Sequence, residues 1–87
     1  MPLVTMVAEY DSITMIFEPG ASIPPREMMN AMVCHITQGG LKVTQNGKDF
    51  VAKKDHVWTC TKGTTTEGAT NTGTTVAIMR ITDLLET

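Results

Sequence analysis

The chain contains few of the side chains that most often bind metals or stack on nucleic-acid bases. Among 87 residues there are two histidines and two cysteines, and aromatic residues make up 5%. Cys34 and Cys60 lie far apart, outside any Cys-x-x-Cys pair, so the sequence indicates neither a disulfide framework nor a zinc ribbon. We expect both thiols to be buried and to act as small hydrophobic groups.

The chain also has no strong excess of charge of either sign and no long apolar run. Seven basic and nine acidic residues give a formal net charge of -2, without a run of like charges or a basic stripe with interleaved aromatics. Nucleic acid is therefore not an expected partner. The N-terminal stretch has no basic segment before its apolar residues, and no apolar run approaches the roughly 18 residues that span a bilayer. We expect a soluble, cytoplasmic protein with no membrane partner.

The residues that are abundant are β-branched. Threonine alone occupies fifteen positions, and threonine, valine and isoleucine suit a pleated sheet better than a helix. Alternation and turn signals predict an all-β fold of seven or eight short strands in one domain, residues 1–87. The predicted strands cover residues 3–8, 12–17, 31–37, 41–45, 49–52, 56–61, 65–70 and 75–81.

Glycine and proline mark the turns between these strands. Asn46-Gly47 predicts a two-residue type I′ hairpin, because both residues tolerate positive φ. The prolines at positions 19, 24 and 25 bracket an extended segment, and residues 26–32 have room for one helical turn. Residues 71–74 predict a second tight turn. Many short strands at regular spacing favour a jelly-roll barrel with room for one small ligand.

Residues 18–40 carry a spacing found in one family of such barrels. Its first motif has a glycine, five residues, His-x-His, three or four residues, a glutamate, six residues and a glycine. With the first glycine on Gly20, the histidine positions fall on Arg26 and Met28, the glutamate on Val33 and the last glycine on Gly40. The segment thus resembles the first motif of the cupin family, with all three ligand types replaced.

Residues 53–73 resemble the second cupin motif. Lys54-Asp55 stands where the family often has Gly-Asp, and Asn71 to Gly73 matches the closing asparagine and glycine. The remaining histidine position falls on Glu67, after a one-residue insertion. Cys60 or the next threonine replaces the usual proline. The resemblance implies a cupin jelly roll of antiparallel strands over about three quarters of the chain.

The resemblance also implies a metal site whose ligands are missing. Arg26 is permanently cationic, Met28 is a poor ligand for hard metals and Val33 is no ligand. We therefore expect no metal and no other cofactor. The alternative is a relocated site for a divalent transition metal, built from His35, Glu67 and either His56 or Cys60.

The two charged positions have two interpretations each. Arg26 is expected to clamp a ligand carboxylate or phosphate, or else to pair with Glu18, Glu27 or Glu67. Glu67 either forms a buried ion pair with Arg26 or exchanges a proton with a bound substrate.

The other candidate residues follow from strand alternation. If Val33 faces the barrel interior, then His35 does too, either as a catalytic base or as a core histidine. Met28 and Met32 are expected to form a flexible pocket wall or plain core. Trp58, Cys60 and His56 share one strand face, with Trp58 as the floor of the pocket or part of a dimer interface.

The sequence therefore predicts a metal-independent small cupin that binds a small polar or anionic organic molecule in its barrel. Glu67 and His35 are the candidate catalytic residues for an isomerase-type or lyase-type proton transfer. The candidate ligand-binding residues are Arg26, Met28, Met32, Val33, Trp58 and Cys60. The alternatives are a non-catalytic sensor module and a metal enzyme with relocated ligands. The resemblance implies a homodimer, and the limited core favours one too, since a chain of this size buries only about 60 to 65% of its unfolded surface.

Overall fold

The computed structural model describes residues 2–10, 12–27, 31–60 and 65–84. Within these ranges the chain forms nine strands, all paired antiparallel. No helix in them is long and apolar enough to cross a bilayer. The strands are β1 (Val4–Glu9), β2 (Ser12–Phe17), β3 (Ser22–Glu27), β4 (Met32–Gln38), β5 (Gly40–Gln45), β6 (Lys48–Lys53), β7 (Val57–Cys60), β8 (Thr66–Thr70) and β9 (Ala77–Asp83).

The strands form two sheets whose inner faces enclose the core. One sheet has the order β1-β2-β9-β4-β7, and the other has the order β3-β8-β5-β6. Phe17, Ile36, Leu41 and Val43 are fully buried, and each alternates with more exposed neighbours along its strand. This burial of every second residue matches the alternation in the sequence, and the two sheets confirm the predicted all-β jelly roll.

The predicted hairpin between β5 and β6 is confirmed. Gln45 lies opposite Lys48, so only two residues form the loop. Asn46 has φ 52° and Gly47 has φ 79°, the positive values that a type I′ turn requires.

One strand, β3, was not predicted as a strand. The sequence indicated an extended segment there and one helical turn from residue 26. In the strand register Arg26 instead lies opposite Glu67, and Glu27 lies opposite Thr66. The predicted helical turn is therefore wrong for residues 26 and 27. Residues 28–30 lie outside the described ranges. The ladder slips between Ile23 and Arg26, which accommodates two prolines that cannot donate to it.

Gly68 on β8 allows β3 to pack so closely. A Cβ built at this position would lie 2.6 Å from the nitrogen of Pro25 and 2.7 Å from the carbonyl oxygen of Ile23. The absent side chain therefore makes room for the bulge in β3. That bulge sets the register that places Arg26 beside Glu67.

Asn71 closes the end of β8. Its buried amide nitrogen donates to the carbonyl oxygens of Phe17 at 3.0 Å and Thr75 at 2.8 Å, and its Oδ1 accepts from the backbone nitrogen of Gly73 at 3.0 Å. The chain bends over residues 73–75, which overlaps the tight turn predicted for 71–74. One asparagine side chain thus satisfies three backbone groups.

Candidate functional site

A cavity of about 300 Å³ lies between the two sheets. Most of its wall is apolar and includes four flexible, polarizable methionine side chains. The apolar lining comes from β1, β2, β3, β4, β8 and β9, namely Met6, Ile13, Met15, Ile23, Met32, Ala69, Met79 and Ile81. Of the two methionines proposed as wall from the sequence, Met32 lines the cavity and Met28 lies outside the described residues.

The remaining cavity wall carries one cation and three carboxyl groups. These are Arg26 and Glu27 on β3, Glu67 on β8 and Asp83 on β9. Arg26 is exposed, whereas Glu67 is only 7% exposed. Within the described ranges the ion pair is that of Lys42 with Asp49 at 3.5 Å, so Arg26 is not paired with a carboxylate. The ion pair between Arg26 and Glu67 that the sequence allowed is therefore absent, although the two residues are strand neighbours.

Glu67 is instead engaged by two thiols. The Cys34 Sγ–H donates to Glu67 Oε1 at 3.9 Å, and the Cys60 thiol donates to Glu67 Oε2. Cys34 is 0% exposed and Cys60 is 2% exposed, so all three groups are buried. Gln45 Nε2 lies 3.5 Å from Cys60 Sγ and also donates to the Thr59 carbonyl oxygen at 3.2 Å. We call Cys34, Cys60 and Glu67 the thiol–carboxyl cluster.

This environment keeps one of the thiols protonated. The hydrogen bond with Cys60 and the burial of the site raise the pKa of the Cys34 thiol far above its ordinary value, and the charge of Glu67 raises it further. Cys34 is therefore a thiol, not a reactive thiolate, at neutral pH.

The sequence predicted two buried thiols but not their proximity. Cys34 lies on β4 and Cys60 on β7, which are neighbours in one sheet, while Glu67 comes from the other sheet. Alternation with Met32 and Ile36 does indicate that Cys34 points inward. The pairing of β4 with β7 has no local signal, so the cluster was missed.

Trp58 belongs to an aromatic cluster and is not among the residues that line the cavity. Its ring lies 5.5 Å from that of Phe50 and 5.5 Å from that of His56, edge-on in both cases. His56 itself is exposed. The structure therefore places Trp58 and His56 together, but with Phe50 and not against the ligand space.

Solved structures show which fold this arrangement belongs to. The chain matches an RmlC-like cupin from Shewanella frigidimarina with a TM-score of 0.72 at 15% identity, covering 95% of this chain and 77% of that one. It matches a predicted oxalate decarboxylase of Thermotoga maritima with a TM-score of 0.74 at 25% identity, covering 85% and 65%. KdgF from Halomonas sp. matches with a TM-score of 0.70 at 16% identity, covering 95% and 79%.

The chain has the cupin fold. It spans less than two thirds of the Thermotoga maritima protein, with 65% of that chain covered. No protein-family model matches the sequence. No curated protein matches it either.

The cupin fold allows the first motif to be placed in register. The expectation that Val33 faces the interior, and His35 with it, was wrong. Cys34 is fully buried between them, and neither Val33 nor His35 lines the cavity. The three-residue form of the spacing puts the glutamate position on Met32, which does line the cavity, and the closing glycine on Gly39.

Gly39 has the conformation that this closing position requires. Its φ is 68°, and a Cβ there would lie 2.7 Å from the carbonyl oxygen of Val76. Only glycine fits such a turn without displacing the neighbouring backbone.

The cavity side chains do not fit the metal that cupins usually hold. Of the four ligand positions, the described ones carry Arg26, Met32 and Glu67 in place of imidazole and carboxylate ligands. A guanidinium cannot coordinate a cation, and a thioether is a poor ligand for a hard one. The relocated set that the sequence allowed is formed in part, because Glu67 and Cys60 meet while His35 and His56 stay outside the group.

Proposed function

We propose that the protein binds a small organic molecule in its cupin barrel, without a requirement for metal. The observation that supports this most directly is the cavity itself, which is mostly apolar and has a few polar groups at defined places. Such a combination is typical of ligand sites, and about 300 Å³ is the lower end of their usual size. The ligand is therefore small, with an apolar body against the methionine and isoleucine side chains.

The polar head of the ligand is a single carboxylate or similar anion held by Arg26. Arg26 lines the cavity and, within the described residues, pairs with no acid. It is thus available for a forked pair of charge-assisted hydrogen bonds. Arg26 carries the anion-binding role in this proposal.

The three carboxyl groups restrict the ligand's charge. Glu27, Glu67 and Asp83 line the same cavity as the single arginine, so the wall is acidic overall when they are ionised. A dianion is repelled, whereas a monoanion, or a zwitterion whose ammonium faces Glu27 or Asp83, is accommodated. The oxalate decarboxylase resemblance therefore does not extend to its dicarboxylate substrate.

Glu67 is the residue we propose for proton transfer in an isomerase-type or lyase-type step. It lines the cavity while its carboxylate accepts hydrogen bonds from two thiols, which fixes its orientation. A positioned, buried carboxyl group is what general acid–base chemistry needs. The non-catalytic alternative uses the same cavity without turnover.

The test is calorimetric titration of the full chain, purified without a chelating tag and kept in chelator. A series of monocarboxylates with growing apolar bodies is compared with matched dicarboxylates and with zwitterionic amino acids. We expect monoanions or zwitterions to bind and dicarboxylates to bind at least tenfold more weakly. Arg26→Ala should weaken binding about tenfold or more, from the loss of charge-assisted hydrogen bonds.

Arg80→Ala is the matched control, because Arg80 is exposed on β9 and does not line the cavity. Equal affinity in Arg26→Ala and wild type, or binding that appears only after a metal is added, would sink the proposal. For catalysis, Glu67→Gln should abolish turnover of any identified substrate while the ligand still binds. Binding by wild type without turnover would instead establish the sensor.

A further inference from the structure

The thiol–carboxyl cluster has the geometry of a metal site. One ligand atom from each of Cys34, Cys60 and Glu67 lies within 4.8 Å of the other two. Tetrahedral zinc, with bonds of about 2.3 Å to sulfur and about 2.0–2.2 Å to oxygen, separates neighbouring ligand atoms by roughly 3.5–3.8 Å. The Cys34 Sγ to Glu67 Oε1 distance of 3.9 Å is already close to that value.

The burial of Glu67 supplies an independent reason to expect a cation. The side chain is 7% exposed, and the donors that reach it are thiols, which are weak hydrogen-bond donors. Across the described ranges the ion pair is Lys42 with Asp49, so no lysine or arginine neutralises Glu67. A buried carboxylate without a cation or strong donors is unfavourable, and a bound metal would remove that cost.

We propose that Cys34, Cys60 and Glu67 form a binding site for a zinc-class divalent cation inside the barrel. The donor set selects the metal, because two thiolates with one carboxylate suit zinc and not magnesium or calcium. On binding, the two thiols each lose a proton to the solvent and no electron is transferred. This site goes beyond the small-molecule binding proposed above and does not depend on it.

The position of the site relative to the cavity gives it an open coordination position. Three protein ligands leave the fourth position of a tetrahedral ion unfilled by the protein. Glu67 also lines the cavity, whereas neither thiol does, so the fourth ligand comes from the cavity side. Two thiolates and a carboxylate leave one net negative charge on a zinc complex, and Arg26 lies opposite Glu67 in the strand register.

A disulfide is the competing use of two nearby thiols, and the strand register disfavours it. Cys34 lies opposite Trp58 and Cys60 lies opposite Met32, so the two cysteines are diagonal on the β4–β7 ladder. Diagonal neighbours are about 7–8 Å apart. Disulfides rarely span more than about 6.8 Å between Cα atoms. The pair is therefore better placed to share a metal.

The test is a titration of the reduced full chain with Zn²⁺ in competition with a chromophoric chelator, and with Co²⁺ as an optical probe. We expect one equivalent to bind, with a thiolate-to-cobalt charge-transfer band and the visible bands of tetrahedral cobalt. Cys34→Ser and Cys60→Ser should each weaken binding at least about tenfold and reduce the charge-transfer band. Glu67→Gln should weaken binding while the charge-transfer band is kept.

Glu9→Gln and His56→Gln are the controls, since both side chains are exposed and lie outside the cluster and the cavity. Both should bind the metal like wild type. If a serine variant fails to fold, measurements on wild type still test the proposal. These are the metal stoichiometry and a charge-transfer band whose intensity corresponds to two thiolates. A missing band, or Zn²⁺ binding unchanged in the double serine variant, would overturn the proposal, as would a Cys34–Cys60 disulfide formed quantitatively in air.

Discussion

Replacing Glu67 by glutamine tests whether this residue is held for stability or for function. In the metal-free protein the carboxylate is buried at 7% exposure with thiol donors and, among the described residues, no ion-pair partner. Glutamine keeps the shape and an acceptor oxygen but removes the charge. Burying an incompletely compensated polar group costs about 1–3 kcal/mol in proteins. We therefore expect Glu67→Gln to stabilise the metal-free chain by about 1–2 kcal/mol.

The assay is urea unfolding with chelator and a reducing agent present. In a thermal unfolding experiment, each kcal/mol of added stability should raise Tm by about 4–8 °C for a domain of this length. Glu27→Gln is the matched control, because Glu27 is an exposed carboxyl group on the same cavity, and its change should stay within about 0.5 kcal/mol.

Zinc should make wild type more stable than the Glu67→Gln variant. At a free metal concentration of about 100 Kd, wild type gains about 2.7 kcal/mol, and the variant gains less because it has lost a ligand. If Glu67→Gln destabilises the metal-free chain by more than about 1 kcal/mol, the carboxylate is a structural acceptor for the thiols and the reasoning fails.

Two further predictions concern the scaffold. Gly68→Ala should destabilise the chain by about 1–3 kcal/mol and weaken ligand binding, since the new Cβ pushes β3 and Arg26 away. Urea unfolding measures this against Gly73→Ala, where the nearest atom lies 3.4 Å from the added Cβ, and equal losses would contradict it. The hydrogen bond from Thr44, with help from the charge of Lys42, lowers the pKa of the Asp49 carboxyl group below its ordinary value. Its stabilisation is present above the unfolded pKa and lost as the pH falls through the folded one. An NMR titration of the Asp49 carboxyl group should show this lowered pKa. An unchanged pKa in Thr44→Val would show that the Thr44 hydrogen bond is not its cause.

The elements that the sequence predicted well are those with a local physical signal. Asn46-Gly47 fixes its hairpin because few other residue pairs accept two positive φ angles, and the burial of alternate residues repeats along each core strand. The strand β3 was missed because Pro24 and Pro25 argue against a ladder, and the bulge that tolerates them depends on Gly68 in another strand. The homodimer and the cytoplasmic location stay predictions.

The candidate site was predictable only in part, for a similar reason. Arg26 and Glu67 followed from motif spacing, and both line the cavity. The spacing was placed one residue too late on β4. Because neighbouring residues of a strand face opposite sides, this error predicted that Val33 and His35 point into the barrel. Cys34 was predicted to be buried, but its meeting with Cys60 and Glu67 was not.

Glu67 is the residue at which the two proposed uses of the barrel meet. It lines the cavity and accepts hydrogen bonds from both thiols, so a metal on the thiols and a ligand at Arg26 act on one carboxyl group. A carboxylate that coordinates a cation is no longer free to accept a proton from a substrate. A ligand carboxylate that occupies the fourth metal position would instead bind metal and arginine together. Each ligand therefore changes the affinity for the other by the same factor, whichever sign that coupling has.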